Sequence, residues 1–170
     1  DTYIPPVEAV VKAGADTLTS SFNYISGTPG SANHYTMTEM LKNRWKHDGF
    51  VVSDWSAVPQ LIDQGHAADR KEAARLAFNA GLEMEMMGHC YDRHMAKLVE
   101  EGKISMQLVD DAVKRVLRIK FRLGLFDNPY TPTSTEKERF LLPQSLAIAE
   151  KLAEESIVLL KNENKVLPLA

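Results

Sequence analysis

The chain has 170 residues, 44% hydrophobic and 25% charged, an ordinary globular balance that excludes disorder and collagen-like repeats and supplies one moderate core. A net charge of -3 without any run of Lys or Arg leaves no electrostatic footprint for nucleic acid or acidic membranes, so the expected partner is neutral. No apolar run approaches the roughly 18 residues of a membrane span, and the single cysteine, Cys90, excludes an internal disulfide without deciding the compartment.

In chain order, residues 3–13 carry helical spacing after a proline pair suited to a helix start, and Gly14 ends the run. Thr17 to Phe22, rich in β-branched residues, reads as a strand, and Asn23, Gly27, Pro29 and Gly30 mark a loop. A helix over Thr36 to Trp45 is expected to start on Thr36 as N-cap, with Glu39 completing a capping box. Phe50 to Ser53 is the second strand. Arg70 to Ala80 is a helix with Ala73, Ala74, Ala77 and Phe78 on one face and Gly81 closing it, and Leu82 to Met86 is the third strand. Strands separated by helices read as repeated βαβ units with parallel strands.

The pattern then changes. Asp92 to Glu101 and Ser105 to Leu123 are two helices with no strand between them; Ser105 caps the second, Gly124 stops it, and Val109, Ala112, Val113, Val116, Leu117 and Phe121 form its apolar stripe. Residues 127–135 have linker composition. Pro143 to Glu155 reads as an Ala-rich helix and Ile157 to Leu160 as a short apolar strand. The chain opens on Asp1 in mid-pattern rather than on Met, which reads as a piece of a longer protein.

The most informative stretch is Gly49-Phe50-Val51-Val52-Ser53-Asp54-Trp55, an apolar strand that delivers a carboxylate beside an indole. At the C-terminal mouth of a parallel sheet, that pair suggests a sugar-processing site, because a flat apolar ring suits the C–H-rich face of a pyranose. The blander accounts are that Asp54 caps the following loop through backbone amides and that Trp55 fills the core. Ser21 and Phe22 end the first strand and point to the same mouth; Phe22 lacks a hydroxyl, which excludes a hydrogen bond to substrate from that ring. Glu83 and Glu85 share one face of the third strand and are expected to make a salt bridge or a loop contact. His89, Cys90 and His94 do not match a zinc spacing and read as a helix start. His66, Asp69 and Arg70 are expected to stabilise the following helix end. Ser53 lacks a Gly-x-Ser-x-Gly elbow, and no glycine-rich phosphate loop follows any strand.

The block GFVVSDWSAV, with the later FRLGLFDNPY and ESIVLLKNENKVLPL, resembles the family-three glycoside hydrolases, the β-glucosidase and β-xylosidase group. The resemblance implies an α/β fold: the C-terminal part of a (β/α)8 barrel over residues 1–126, a linker over 127–142, and the start of a second α/β domain over 143–170. It also implies that Asp54 is the catalytic nucleophile of a retaining β-glycosidase, with Trp55, Phe22 and Ser21 as substrate-binding residues and a β-linked sugar as substrate. The family usually has Asp where Glu83 stands and varies at Glu85, so neither is expected to be the general acid. That role falls to a Glu of the second domain, beyond this chain, so the chain alone is expected to lack turnover. Two carboxyls suffice for the chemistry, so neither metal nor organic cofactor is expected. A periplasmic or secreted location is expected ahead of a cytoplasmic one. The rival reading is a catalytically silent unit whose exposed strand edges pair with a second copy. A Schiff-base aldolase would need a lysine at a strand end, and none of the three strands carries one.

Overall fold

The computed structural model describes residues 2–169, which form two compact units parted between Asn128 and Pro129. In the first unit, α1 (Ile4–Lys12) starts with prolines in its first turn, and Gly14, at φ 94°, turns the chain out of it. Then follow β1 (Thr17–Thr19), a hairpin of β2 (Tyr24–Ile25) and β3 (Thr28–Pro29), and a π-helix (Tyr35–Arg44). Next come β4 (Phe50–Trp55), α2 (Gln60–Asp63), α3 (Arg70–Ala80), β5 (Met84–Met86), α4 (Tyr91–Glu100) and α5 (Met106–Arg122). β1, β4 and β5 make one parallel sheet in the order β1-β4-β5, with Thr17, Leu18 and Thr19 opposite Phe50, Val51 and Val52.

One face of this sheet carries the core. Val51 packs with Ala73, Ala74, Ala77 and Phe78 of α3 and with Leu61, Leu82, Leu98 and Ile104, all 5% exposed or less. The alanines lie flush on α3, so the helix approaches the strands closely, and each fully buried leucine contributes about 1.5–3 kcal/mol. Phe78 meets Tyr91 edge to face, ring centroids 5.4 Å apart. The other face is lightly covered: Thr17 and Thr19 are exposed, as are Met84 and Met86.

The helices of α3, α4 and α5 stand within a residue or two of their expected spans, with Asp69 accepting from the Glu72 amide at 2.8 Å and Ser105 from the Leu108 amide at 3.2 Å as N-caps. Several expectations need correction. β1 stops at Thr19, so Ser21 and Phe22 lie beyond the strand; β5 starts at Met84 and not at Leu82. The loop after Asn23 holds the β2–β3 hairpin, which two-residue strands announce too weakly to read. Thr36 is not the N-cap: Asn33 Oδ1 accepts from the Thr36 amide at 3.0 Å, and Glu39 instead accepts from Asn43 at 3.1 Å. The segment it opens is a π-helix and not an α-helix. On α5, Ala112 and Ile119 are buried, whereas Val113, Leu117 and Phe121 are exposed, so only part of the expected stripe meets the core.

In the second unit, a 3-10 turn at Thr133–Thr135 leads into α6 (Glu136–Arg139), and α7 (Pro143–Ser156) begins on its proline. Ile157 to Leu160 form no strand: among the described residues no ladder joins them to another segment, and Leu160 is 91% exposed. β-branched residues favour extension, but a strand exists only where a neighbour takes its amides and carbonyls.

Candidate active site

Asp54 and Trp55 end β4, and the ladder at that point is irregular. Val52 lies opposite Met84 and Trp55 opposite Met86, so three steps on β4 match two on β5. The extra residue is a β-bulge, a device that re-aims side chains where a strand ends. Strict alternation would send Asp54 and Trp55 to opposite faces. With the register shift, Trp55 and not Asp54 falls in step with Met86, and both residues stand at the C-terminal end of β4. Trp55 is 61% exposed, which excludes the core-filling account.

Ser53 occupies the bulge and is completely buried. Its Oγ accepts from the Met86 amide at 2.8 Å and donates to the Asp54 carbonyl at 2.8 Å. The Asp54 carbonyl also accepts from the Ala57 amide at 3.1 Å, and Ser56 (φ 54°) donates to the Met86 carbonyl at 2.9 Å. The half-buried Asp54 side chain is steadied by one bond, from the Trp55 amide to Oδ1 at 2.6 Å. Among the described residues, no Lys, Arg or His lies within ion-pair distance of it.

The end of β1 is fastened separately. Ser20 donates to the Val52 carbonyl at 2.9 Å and shares a buried 2.9 Å hydroxyl contact with Ser31. Gly30 packs on Ser21 so closely that a Cβ there would collide with the Ser21 hydroxyl and carbonyl. Gln64 Nε2 donates to the Phe22 carbonyl at 2.8 Å, and the Tyr24 hydroxyl donates to the Gln64 carbonyl at 2.8 Å. Phe22 is 40% exposed, so it does not fill the core. Ser21 lines a hollow of about 860 Å³ beside β1 with Tyr3, Val7, Thr19, Tyr24 and Trp45; Asp54, Trp55 and Phe22 are not among its walls. The β4–β5 ladder thus pairs Trp55 with Met86 at the end of β4, next in the chain to Asp54, while Ser21 and Phe22 sit on the loop after β1.

Glu83 and Glu85 are engaged elsewhere. Glu83 pairs with Lys42, lies 3.8 Å from Arg115 Nε and accepts from the Val51 amide at 2.8 Å. Burial pulls the Lys42 ammonium below its usual range in spite of that partner. Glu85 Oε2 accepts the Cys90 and Tyr91 amides at 2.8 and 2.7 Å, satisfying the start of α4. Between them, Met87 and His89 both stand at φ 57°, held by the Arg70 guanidinium donating to the Gly88 carbonyl at 2.6 Å. His89 pairs with Asp92 at 2.9 Å, and burial, then Glu85, pushes the Cys90 thiol up to about 12. Among the described residues, no three His, Cys, Asp or Glu side chains gather as a metal site would require. Sequence reasoning passed over Gln64, whose role depends on residues 42 and 40 positions away. It also gave no role to the Ser53 hydroxyl, for which the only signal was a serine inside an apolar strand.

Residues 1–119 match the glycosyl hydrolase family 3 N terminal domain. The periplasmic β-glucosidase of Salmonella typhimurium is 35% identical over 98% of this chain and 22% of its own length, and a putative β-xylosidase of Formosa agariphila is 37% identical over 99% and 23%. The β-glucosidase of Listeria innocua, solved in complex with glucose, superposes with a TM-score of 0.84 at 39% identity, covering 98% of this chain and 23% of that one. The same Listeria enzyme has been solved with isofagomine and with gluconolactone. The chain thus spans less than a quarter of the length of these relatives. Together, the parallel sheet, the family match over residues 1–119 and these relatives show that the chain belongs to glycoside hydrolase family 3.

Proposed function

We propose that the chain is part of a retaining β-glycosidase, of the β-glucosidase or β-xylosidase kind, with Asp54 as its nucleophile. The observation that carries this reading is a carboxylate without a cationic partner among the described residues, next in the chain to an exposed indole, at the irregular end of a parallel strand. Asp54 Oδ1 is occupied by the Trp55 amide, and Oδ2 has no hydrogen-bond partner among the described residues, so Oδ2 is the attacking atom. It bonds to the anomeric carbon as the glycosidic C–O bond breaks, and the leaving oxygen takes a proton from a general acid. The same residue, now a base, takes a proton from water, whose oxygen displaces Asp54 and restores the starting configuration. Trp55 offers its face to the sugar ring, with Phe22 and Ser21 on the flank.

In this reading the three parallel strands and their helices are the C-terminal part of a (β/α)8 barrel over residues 1–126, residues 127–142 are a linker, and 143–170 begin a second α/β domain. The acid/base Glu is supplied from outside this chain, so the 170-residue chain alone hydrolyses no aryl glycoside. The substrate class, a β-linked glucoside or xyloside, follows the names of the relatives, and a periplasmic or secreted location follows that of the Salmonella protein. The test is a mechanism-based 2-fluoro glycoside on the full-length native protein. The expected label is on Asp54, with product of retained configuration by NMR; label on Glu83 or Glu85, or inverted product, overturns the assignment.

A second reading draws on the one-sided pairing of β1 and the exposed Met84 and Met86 face: the isolated chain pairs with a second copy. Light scattering over a concentration series tests it, and a constant monomer mass rejects it.

A further inference from the structure

We infer that Ser53 is a positioning residue for Asp54, acting as a hydrogen-bonded staple across the bulge; the inference rests on the reading of Asp54 as nucleophile. A bulge disrupts the regular ladder locally and bends the bulged strand. Beside the bulge the Met86 amide donates to the Ser53 hydroxyl at 2.8 Å. The same hydroxyl passes its own hydrogen to the Asp54 carbonyl at 2.8 Å, so one buried oxygen ties β5 to the main chain of the reacting residue. A hydroxyl is the smallest group that both accepts and donates, and a completely buried position excludes water as a substitute.

Asp54 is held at its carbonyl by Ser53 and Ala57 and at Oδ1 by the Trp55 amide, which fixes the main chain and the carboxylate together. Ser56, at φ 54°, maintains the tight exit that follows. Without the Ser53 hydroxyl, both of its 2.8 Å bonds are lost, and the strand is freer to drift toward regular pairing. Regular pairing would bring Asp54, and not Trp55, into step with Met86 and so move the carboxylate. Misplacement of a reacting group by about 1 Å costs on the order of 100-fold in rate. Ser53 touches neither sugar nor leaving group, so the cost falls on the bond-forming step and not on substrate affinity.

The test compares the rate of 2-fluoro glycoside trapping in the full-length native protein with Ser53, Ser53→Ala and Ser53→Thr, locating the label by peptide mass. The expected result is label on Asp54 in all three. The first-order trapping constant falls roughly 10- to 100-fold in the Ala variant, with apparent affinity for the reagent changed less than about 3-fold. The Thr variant, which keeps the hydroxyl, recovers most of the rate, and hydrogen exchange at the Met86 amide quickens in Ala only. If the Ala variant is too unstable to assay, Ser53→Cys, with similar volume and a weak donor, is expected to show a loss in the same direction. Label on Asp54 at the wild-type rate in Ser53→Ala, or equal losses in Ala and Thr, overturns the staple alone. Label on a different residue in the wild type overturns the nucleophile reading and the staple with it.

Discussion

The two ends of the parallel sheet are built on different terms. Where the strands enter, charge is dense and matched: Arg115, Arg118 and Arg122, spaced three and four apart along α5, reach back to the 47–49 turn. Arg115 donates to the His47 and Gly49 carbonyls at 3.0 and 2.7 Å, and Arg122 bridges Asp48 at 2.6 Å and Asp16 at 2.9 Å. Lys42 and Glu83 close the group in near-complete burial. Where the strands leave, Asp54 has no cation beside it among the described residues, and Ser56, Met87 and His89 all hold left-handed backbone without being glycine. The entry end spends its charges on one another. The exit end leaves a carboxylate available, the distribution expected when one edge of a parallel sheet holds the fold and the other does chemistry.

Substitutions at the two ends should separate activity from stability. The largest effect is expected at Asp54: Asp54→Ala in the full-length native protein lowers kcat by about four orders of magnitude or more, leaves the unfolding midpoint essentially unchanged, and is partly rescued by azide. Near-wild-type turnover of an aryl β-glucoside would break the comparison at its functional end. The converse is Glu83→Ala, which strands the Lys42 ammonium in a buried site; it should cost about 3–5 kcal/mol in urea unfolding, with the kcat of the remaining folded enzyme little changed.

Smaller effects sharpen the contrast. Trp55→Ala should raise KM about tenfold, or about 1.4 kcal/mol, with less effect on kcat and almost none on stability, because the ring is mostly exposed. The smallest is a pH dependence read at the entry end. Burial, reinforced by Arg115, holds the His47 imidazole below its ordinary value, so the unfolded chain binds the proton more readily than the folded one. Stability from that source is full above pH about 6.5 and declines as pH falls below it. Asp48 is held low by its bond to Arg122, so its contribution is present above pH about 4 and is lost as pH falls further. Urea midpoints across this range should show a shallow step and then a steeper one, and His47→Gln should remove the first.

Local chemistry made much of this readable before any coordinates. The alanine face of α3, the Asp69 and Ser105 caps and the positive-φ glycines at residues 14 and 81 are decided by residues within a few positions of each other. The expected salt bridge or loop contact for Glu83 and Glu85 has its counterpart in the Lys42 pair and in the Cys90 and Tyr91 amides. What escaped depends on partners far along the chain. The bulge at Ser53 exists only against Met86, 33 residues on. The part of the α5 stripe that is buried depends on which side β4 occupies, and Ile157 to Leu160 failed as a strand for want of a neighbour. The π-helix carries no periodicity distinct enough from 3.6 to be read over ten residues.

The buried thiol has a practical side. With a pKa pushed up to about 12, Cys90 holds on the order of one thiolate in 100,000 at neutral pH, and it lies under the start of α4 with no solvent contact. No second cysteine occurs in these 170 residues. The segment is therefore silent toward maleimides and other alkylating reagents while folded. A cysteine introduced at exposed Phe22 would carry a fluorophore or spin label at the rim without any native thiol having to be removed, and Cys90 itself would react only on unfolding, a built-in counter of opened molecules.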